Sequence, residues 1–113
     1  MFAKQRSLVK QKNFEKIFKQ GRAYYTKLLG VKILTNQSNF NRFGIIVGAK
    51  VSKKATERNR LKRQLRQAVW ELDKKLKPGF DLAVMALPGF LNQTYANVKS
   101  ELEKIFKGLK IFK

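Results

Sequence analysis

Between Lys54 and about Leu76 the apolar residues Leu61, Leu65, Ala68, Leu72 and Leu76 recur at threes and fours, the period of a helix with one apolar stripe. A long helix in the middle of a chain of 113 residues must be supported by what lies on either side. Before it, "TKLLGVKIL" and "RFGIIVGAK" have strand character and are separated by the turn-rich "TNQSNFN", a pattern that predicts a hairpin. Leu29, Val31 and Ile33 share one face of the first run, with Gly30 and Lys32 on the other; in the second, Phe43, Ile45, Val47 and Ala49 alternate with Gly44, Ile46, Gly48 and Lys50. One sheet face is thus greasy, and the other carries glycines and lysines. After the helix, "KPGFDLAVMALPGF" reads as a turn, a buried strand and a stop at Pro88. Near the start, Asn13 is placed to cap a helix of about two turns with Phe14, Ile17 and Phe18 on one side and Gly21 as its stop. Near the end, Tyr95, Val98, Leu102, Ile105 and Leu109 form the stripe of a helix from about Gln93 to Lys110. Helix, strands, helix, strand, helix is the order of an α+β domain whose greasy sheet face is covered by the two longer helices.

The length implies one domain, residues 1–113, with a single modest core. Against seven Asp and Glu stand 26 Lys and Arg, a net charge of +19 that repels itself unless an anionic partner neutralises it. Hydrophobic residues make up 43% of the chain, which excludes a disordered basic tail. The longest apolar run, Phe43 to Ala49, is strand-sized, and "MFAKQRSLVKQKNF" has no apolar segment of signal-peptide length, so a soluble, cytoplasmic protein is expected. Cysteine and histidine are both absent, which removes zinc sites, imidazole bases and thiol nucleophiles. The remaining acids are Glu15, Glu57, Glu71, Asp73, Asp81, Glu101 and Glu103. Glu71 with Asp73, and Glu101 with Glu103, are two apart on helices and point in different directions, so a self-sufficient active site is not expected.

The charge is concentrated in "ATERNRLKRQLR", Ala55 to Arg66. On a helix Arg58, Lys62 and Arg66 form one ridge and Asn59, Arg63 and Gln67 the next, both opposite the leucine stripe. A merely solvated face would interleave acids with bases, yet Glu57, in the first turn where the helix dipole favours it, is the only acid in the stretch. Arginine suits bidentate recognition of phosphate, and Asn59 can donate and accept. Lys50, Lys53 and Lys54 flank the helix start, and Lys32 and Lys50 are assigned to the glycine-bearing sheet face, where a single strand could lie. Phe14 and Phe18, four apart, are either a base-stacking platform at its rim or the buried side of a short helix. Trp70 falls near the polar side of the long helix, is expected to pack under a neighbouring segment and receives no role.

Ala55, Arg58, Asn59, Arg60, Leu61, Lys62, Arg63, Leu65 and Arg66 fill the signature of a known family without a gap. The chain resembles the protein subunit of bacterial ribonuclease P, and "LVKQKNFEKIFKQGR" and "FGIIVGAKVSKKA" extend the resemblance over most of its length. The resemblance implies the order α-β-β-β-α-β-α, with a four-stranded sheet and a left-handed βαβ crossover of the kind found in a ribosomal small-subunit protein domain. It implies that Arg58, Asn59, Arg60, Lys62, Arg63 and Arg66, with Lys53 and Lys54, contact the catalytic RNA subunit, Asn59 near RNA-bound magnesium. It implies a cleft between the sheet and the first helix for the 5′ leader of precursor transfer RNA, with Phe14, Phe18, Lys32 and Lys50 as contacts. Two departures stand out: Ala86, Leu87 and Pro88 occupy a strand end where members often carry basic residues, and Lys32 stands where some carry an aromatic.

The implied function is that of a non-catalytic protein component of ribonuclease P, an endoribonuclease that removes 5′ leaders, with Mg2+ held mainly by the RNA. Its partners would be the ribonuclease P RNA and precursor transfer RNA, without DNA or membrane. A ribosomal or general RNA-binding structural protein, and a small metal-dependent nuclease built on Asp81 or Glu57, are the alternatives. Arg60, turned away from Lys62 and Arg66 by the helical spacing, is the weakest of the expected RNA contacts.

Overall fold

A computed structural model describes residues 11–113, so the basic segment of residues 1–10 read above lies outside the described residues. The elements are α1 (Gln11–Gln20), β1 (Arg22–Tyr25), β2 (Leu29–Thr35), β3 (Arg42–Ile46), α2 (Ala55–Asp73), β4 (Phe80–Ala86) and α3 (Tyr95–Leu109). A short 3-10 turn, Pro88–Phe90, follows β4. The result is an α+β fold with one mixed four-stranded sheet and three helices. None of these helices is long and apolar enough to cross a membrane.

The expected hairpin between β2 and β3 does not form. The strand order is β1-β2-β4-β3, with β4 antiparallel to β2 and parallel to β3. The physical reason lies in β4, where Leu82, Ala83 and Val84 are all buried. A strand apolar on both faces belongs inside the sheet, and that preference overrides the tendency of consecutive strands to pair. The turn-rich segment after β2 is therefore tied to the approach to β4. Asn41 Nδ2 donates to the Lys77 carbonyl at 3.1 Å, and its Oδ1 accepts from Phe80 N at 2.8 Å. The hairpin that does form joins β1 to β2, where Thr26 Oγ1 accepts from Leu28 N and Leu29 N, each at 3.2 Å.

Leu29, Val31, Ile33, Phe43, Leu82 and Val84 lie on the sheet face covered by α2 and α3, with Leu61, Leu65 and Leu72 of α2 and Val98, Leu102 and Ile105 of α3 in the same buried cluster. The opposite face is covered in part by α1, whose Ile17 is buried on Ala83 beside Phe14 and Leu34. α1 is already under way at Gln11, so Asn13 lies within the helix and not at its cap. Gly21 ends it, donating its N–H to the Ile17 carbonyl at 2.8 Å. β3 ends at Ile46, short of the expected Lys50, because the chain turns there, with Val51 N donating to the Gly48 carbonyl at 3.1 Å.

Candidate nucleic-acid interface

The start of α2 is organised by Ser52 and not by its cap residue Lys54, whose side chain makes no capping bond. Ser52 Oγ accepts from Lys54 N at 3.2 Å and donates to Glu57 Oε1 at 2.5 Å. Arg58 folds back onto the same loop, its Nη1 donating to the Ser52 carbonyl at 3.0 Å. This divides the basic residues. Asn59, Arg60, Arg63 and Arg66 are exposed, as are Lys53 and Lys54 at the helix start, whereas Arg58 and Lys62 are half-buried on the flank nearer the core. Arg63, opposite buried Leu72, is the centre of the outward face. The expectation of two equal outward ridges is thus corrected: the ridge through Asn59 and Arg63 faces out, and the end of the other at Arg58 is held by its own loop. Arg60 does lie on the other side of Arg63 from Lys62 and Arg66, and it is open to solvent.

On the sheet face behind α1, Phe14 and Phe18 stack with ring centroids 6.4 Å apart. Phe14 is half-buried against the Ile17–Ala83 cluster and Phe18 is 39% exposed, so one ring serves packing while the other offers a free edge. Lys32 donates from Nζ to the Phe18 carbonyl at 3.3 Å and lies 5.3 Å from the centroid of its ring. Its charge therefore sits over the C-terminal end of α1, where the helix dipole favours a cation. Lys50 does not share this face as expected; it is exposed in the turn between β3 and α2. Arg42 and Asp81 are also on this face, joined through Arg42 Nε to Oδ1 at 2.7 Å and Nη2 to Oδ2 at 2.6 Å. The hydrogen bonds to Asp81 raise the guanidinium pKa, so this cation is permanently charged and already paired.

The sequence of the Ribonuclease P family matches residues 2–110 of this chain. The chain belongs to that family. Among relatives, the ribonuclease P protein component of a Synechocystis species is 40% identical over 95 residues, covering 83% of this chain and 77% of its own. That of Clostridioides difficile is 33% identical over 107 residues, covering 94% and 93%. The solved Staphylococcus aureus RNase P protein superposes with a TM-score of 0.86 at 25% identity, covering 96% of this chain and 98% of that one. The Thermotoga maritima RNase P protein gives 0.79 at 28% identity, covering 87% and 92%. Sheet, helices and length all agree, and the chain is a ribonuclease P protein component.

Within this ribonuclease P fold the acids are distributed, not gathered. Asp81 is held by Arg42 and also accepts from Asn36 Nδ2 at 2.9 Å. Glu57 accepts from Ser52, and Glu71 binds Lys99 Nζ at 3.2 Å and the Tyr95 hydroxyl on α3. Hydrogen bonds from Tyr95, Lys99 and Gln67, in that order, hold the Glu71 carboxyl below its ordinary value. Among the described residues no three potential ligands converge on a point where a cation could sit.

One exposed aromatic residue of this sheet face escaped the sequence reading. Tyr25 is 53% exposed, opposite Gly30 across the β1–β2 pair. A Cβ on Gly30 would fall 2.5 Å from the Tyr25 ring, so the glycine makes room for that ring to lie across the sheet towards Met85. Gly30 therefore does not leave bare backbone for a ligand, as its place beside Lys32 had suggested. The available signal was the pairing of a tyrosine-rich strand, "RAYY", with a glycine in the next strand.

Proposed function

We propose that this ribonuclease P protein component binds the catalytic RNA subunit through the outward face of α2 and the 5′ leader of precursor transfer RNA across the sheet face beside α1. The observation that carries the reading is the acid-poor outward face of α2, on which Asn59, Arg60, Arg63 and Arg66 of the family's signature are exposed together. Asn59, Arg60, Arg63 and Arg66 are the residues that would meet the RNA subunit, with Lys53 and Lys54 at the helix start. Arg58 acts partly by holding the Ser52 loop. Phe18, Lys32 and Tyr25 would line the leader's path, with Phe14 supporting Phe18; Lys50, displaced from the sheet, would reach RNA from the loop before α2.

Cleavage is assigned to the RNA, which would hold the Mg2+ that the hydrolysis needs. The protein contributes charge neutralisation and leader affinity, both of which matter most when magnesium is scarce. Location in the cytoplasm with these RNAs completes the reading. The test is reconstitution with a bacterial ribonuclease P RNA and precursor transfer RNA at low magnesium. The protein alone should leave the substrate intact, and added to the RNA it should lower the magnesium requirement for 5′ cleavage. Cleavage by RNA-free protein, or association with ribosomal subunits without any stimulation of the RNA, would reject the reading.

A further inference from the structure

Trp70 was expected beneath a neighbouring segment, and it is not there: the side chain is 39% exposed on α2. At about 100° per residue it lies within about 20° of Arg63 around the helix axis, on the most outward line of α2. Arg63 precedes it on that line, Arg66 lies one turn before it and about 40° to the side, and Lys74, at the helix's C-terminal end, places Nζ 5.9 Å from the centroid of the indole. The two nearest acids are occupied elsewhere. Glu71 is held on the α3 side by Tyr95 and Lys99, and Asp73 accepts from Asn41 Nδ2 at 3.2 Å. The positions one turn from the ring on α2, Arg66, Gln67, Asp73 and Lys74, are charged or polar, so among the described residues of this helix face the indole is not part of an apolar patch of the kind a protein partner covers.

We propose that Trp70 is a nucleobase-stacking site: an unpaired base of the RNA lying along α2 rests on the indole, and Lys74, with Arg66 on the preceding turn, takes the adjoining phosphates. An indole accepts any base on its π face, and cations on both sides select a nucleotide over an uncharged aromatic. The Lys74 ammonium stands near the outer limit of about 6 Å for attraction to the ring, so moving to a phosphate sacrifices little. The RNA contact thereby continues beyond the signature, from Asn59 to the last turn of α2. The inference rests on the reading that α2 faces RNA.

Trp70 is the chain's single tryptophan, so its fluorescence reports this site alone. The experiment titrates the full-length protein with a bacterial ribonuclease P RNA, reading intrinsic emission and acrylamide accessibility, alongside filter-binding affinities of Trp70→Ala, Trp70→Phe and Arg63→Ala over a range of salt. Stacking should quench more than half of the emission and shield the ring. Trp70→Ala should bind about tenfold more weakly with an unchanged salt slope, and Trp70→Phe should recover most of the loss. Arg63→Ala should instead lower the log–log salt slope by about one. Tight binding that leaves Trp70 emission and accessibility unchanged overturns the stacking site while leaving the α2 reading intact. An Arg63→Ala variant with wild-type affinity and slope removes the α2 reading, and the stacking site with it. A shift in emission that grows with protein concentration in the absence of RNA assigns the face to self-association and likewise overturns the site.

Discussion

A methyl group added at Gly21 would fall 2.5 Å from the Ile17 carbonyl oxygen and 2.6 Å from that of Ile33. Both are backbone atoms, one of α1 and one of β2, so neither can step aside without moving its element. Gly21→Ala should lower stability by about 3 kcal/mol in denaturant titration, the upper range for overpacking. At Gly30 the added methyl meets the Tyr25 ring, the movable end of a side chain. Gly30→Ala should cost less than about 1 kcal/mol in the same titration, yet weaken binding of a single-stranded leader RNA by displacing Tyr25. Ser52 is a third position of this kind, because its buried hydroxyl serves Lys54 N and Glu57 together. Ser52→Ala should cost about 1 kcal/mol through the start of α2.

α2 is fastened along its length by different devices, and each has its own signature. At the start, Arg58 is tied to the Ser52 carbonyl, so Arg58→Ala should reduce thermal stability as well as RNA affinity, whereas exposed Arg63→Ala should reduce affinity alone. Near its end, Glu71 and Tyr95 join α2 to α3. Glu71 is held below its ordinary value of 4.5, so its contribution is present above that value and lost as pH falls below it. Tyr95 is raised from 10.0, by burial first and then by its bond to Glu71, so its contribution is present below pH 10.0 and lost as pH rises beyond it. Melting temperature should decline on both sides of this window, and Tyr95→Phe should flatten the alkaline decline while Glu71→Gln flattens part of the acid one.

The helices were legible because their stripes are long: Leu61, Leu65, Ala68 and Leu72 repeat often enough to set both the element and its buried face. Strand partnership was not legible, since the alternation of Leu29, Val31 and Ile33 tells which side faces the core and says nothing of which strand lies alongside. The same limit explains Lys50, counted onto the sheet by parity although the chain leaves the sheet at Ile46. It explains Tyr25 and Gly30, whose relation exists only across a strand pair. Of the interface, the exposure of Asn59, Arg63 and Arg66 follows from helical spacing, but the retention of Arg58 by its loop depends on a turn that no periodicity encodes.

At the scale of the whole molecule, +19 charges lie on a chain whose described part has a radius of gyration of 13.0 Å. Repulsion at that density favours expansion, and it is relieved by screening or by a polyanion. The melting temperature of the free protein should rise by several degrees between about 20 mM and about 500 mM salt, and the rise should vanish when RNA is bound. A fall with salt in the free protein would show that ion pairs such as Arg42–Asp81 outweigh the net repulsion.

The position of β4 between β2 and β3 governs the order of events during synthesis. The β1–β2 hairpin can close as soon as it is made, but β3 has no neighbour in the sheet until residues 80–86 arrive, after the whole of α2. Such long-range closure is slow compared with helix formation. The basic helix is therefore made while its sheet is still in two pieces, β1 with β2 on one side and β3 on the other, waiting for the strand that joins them.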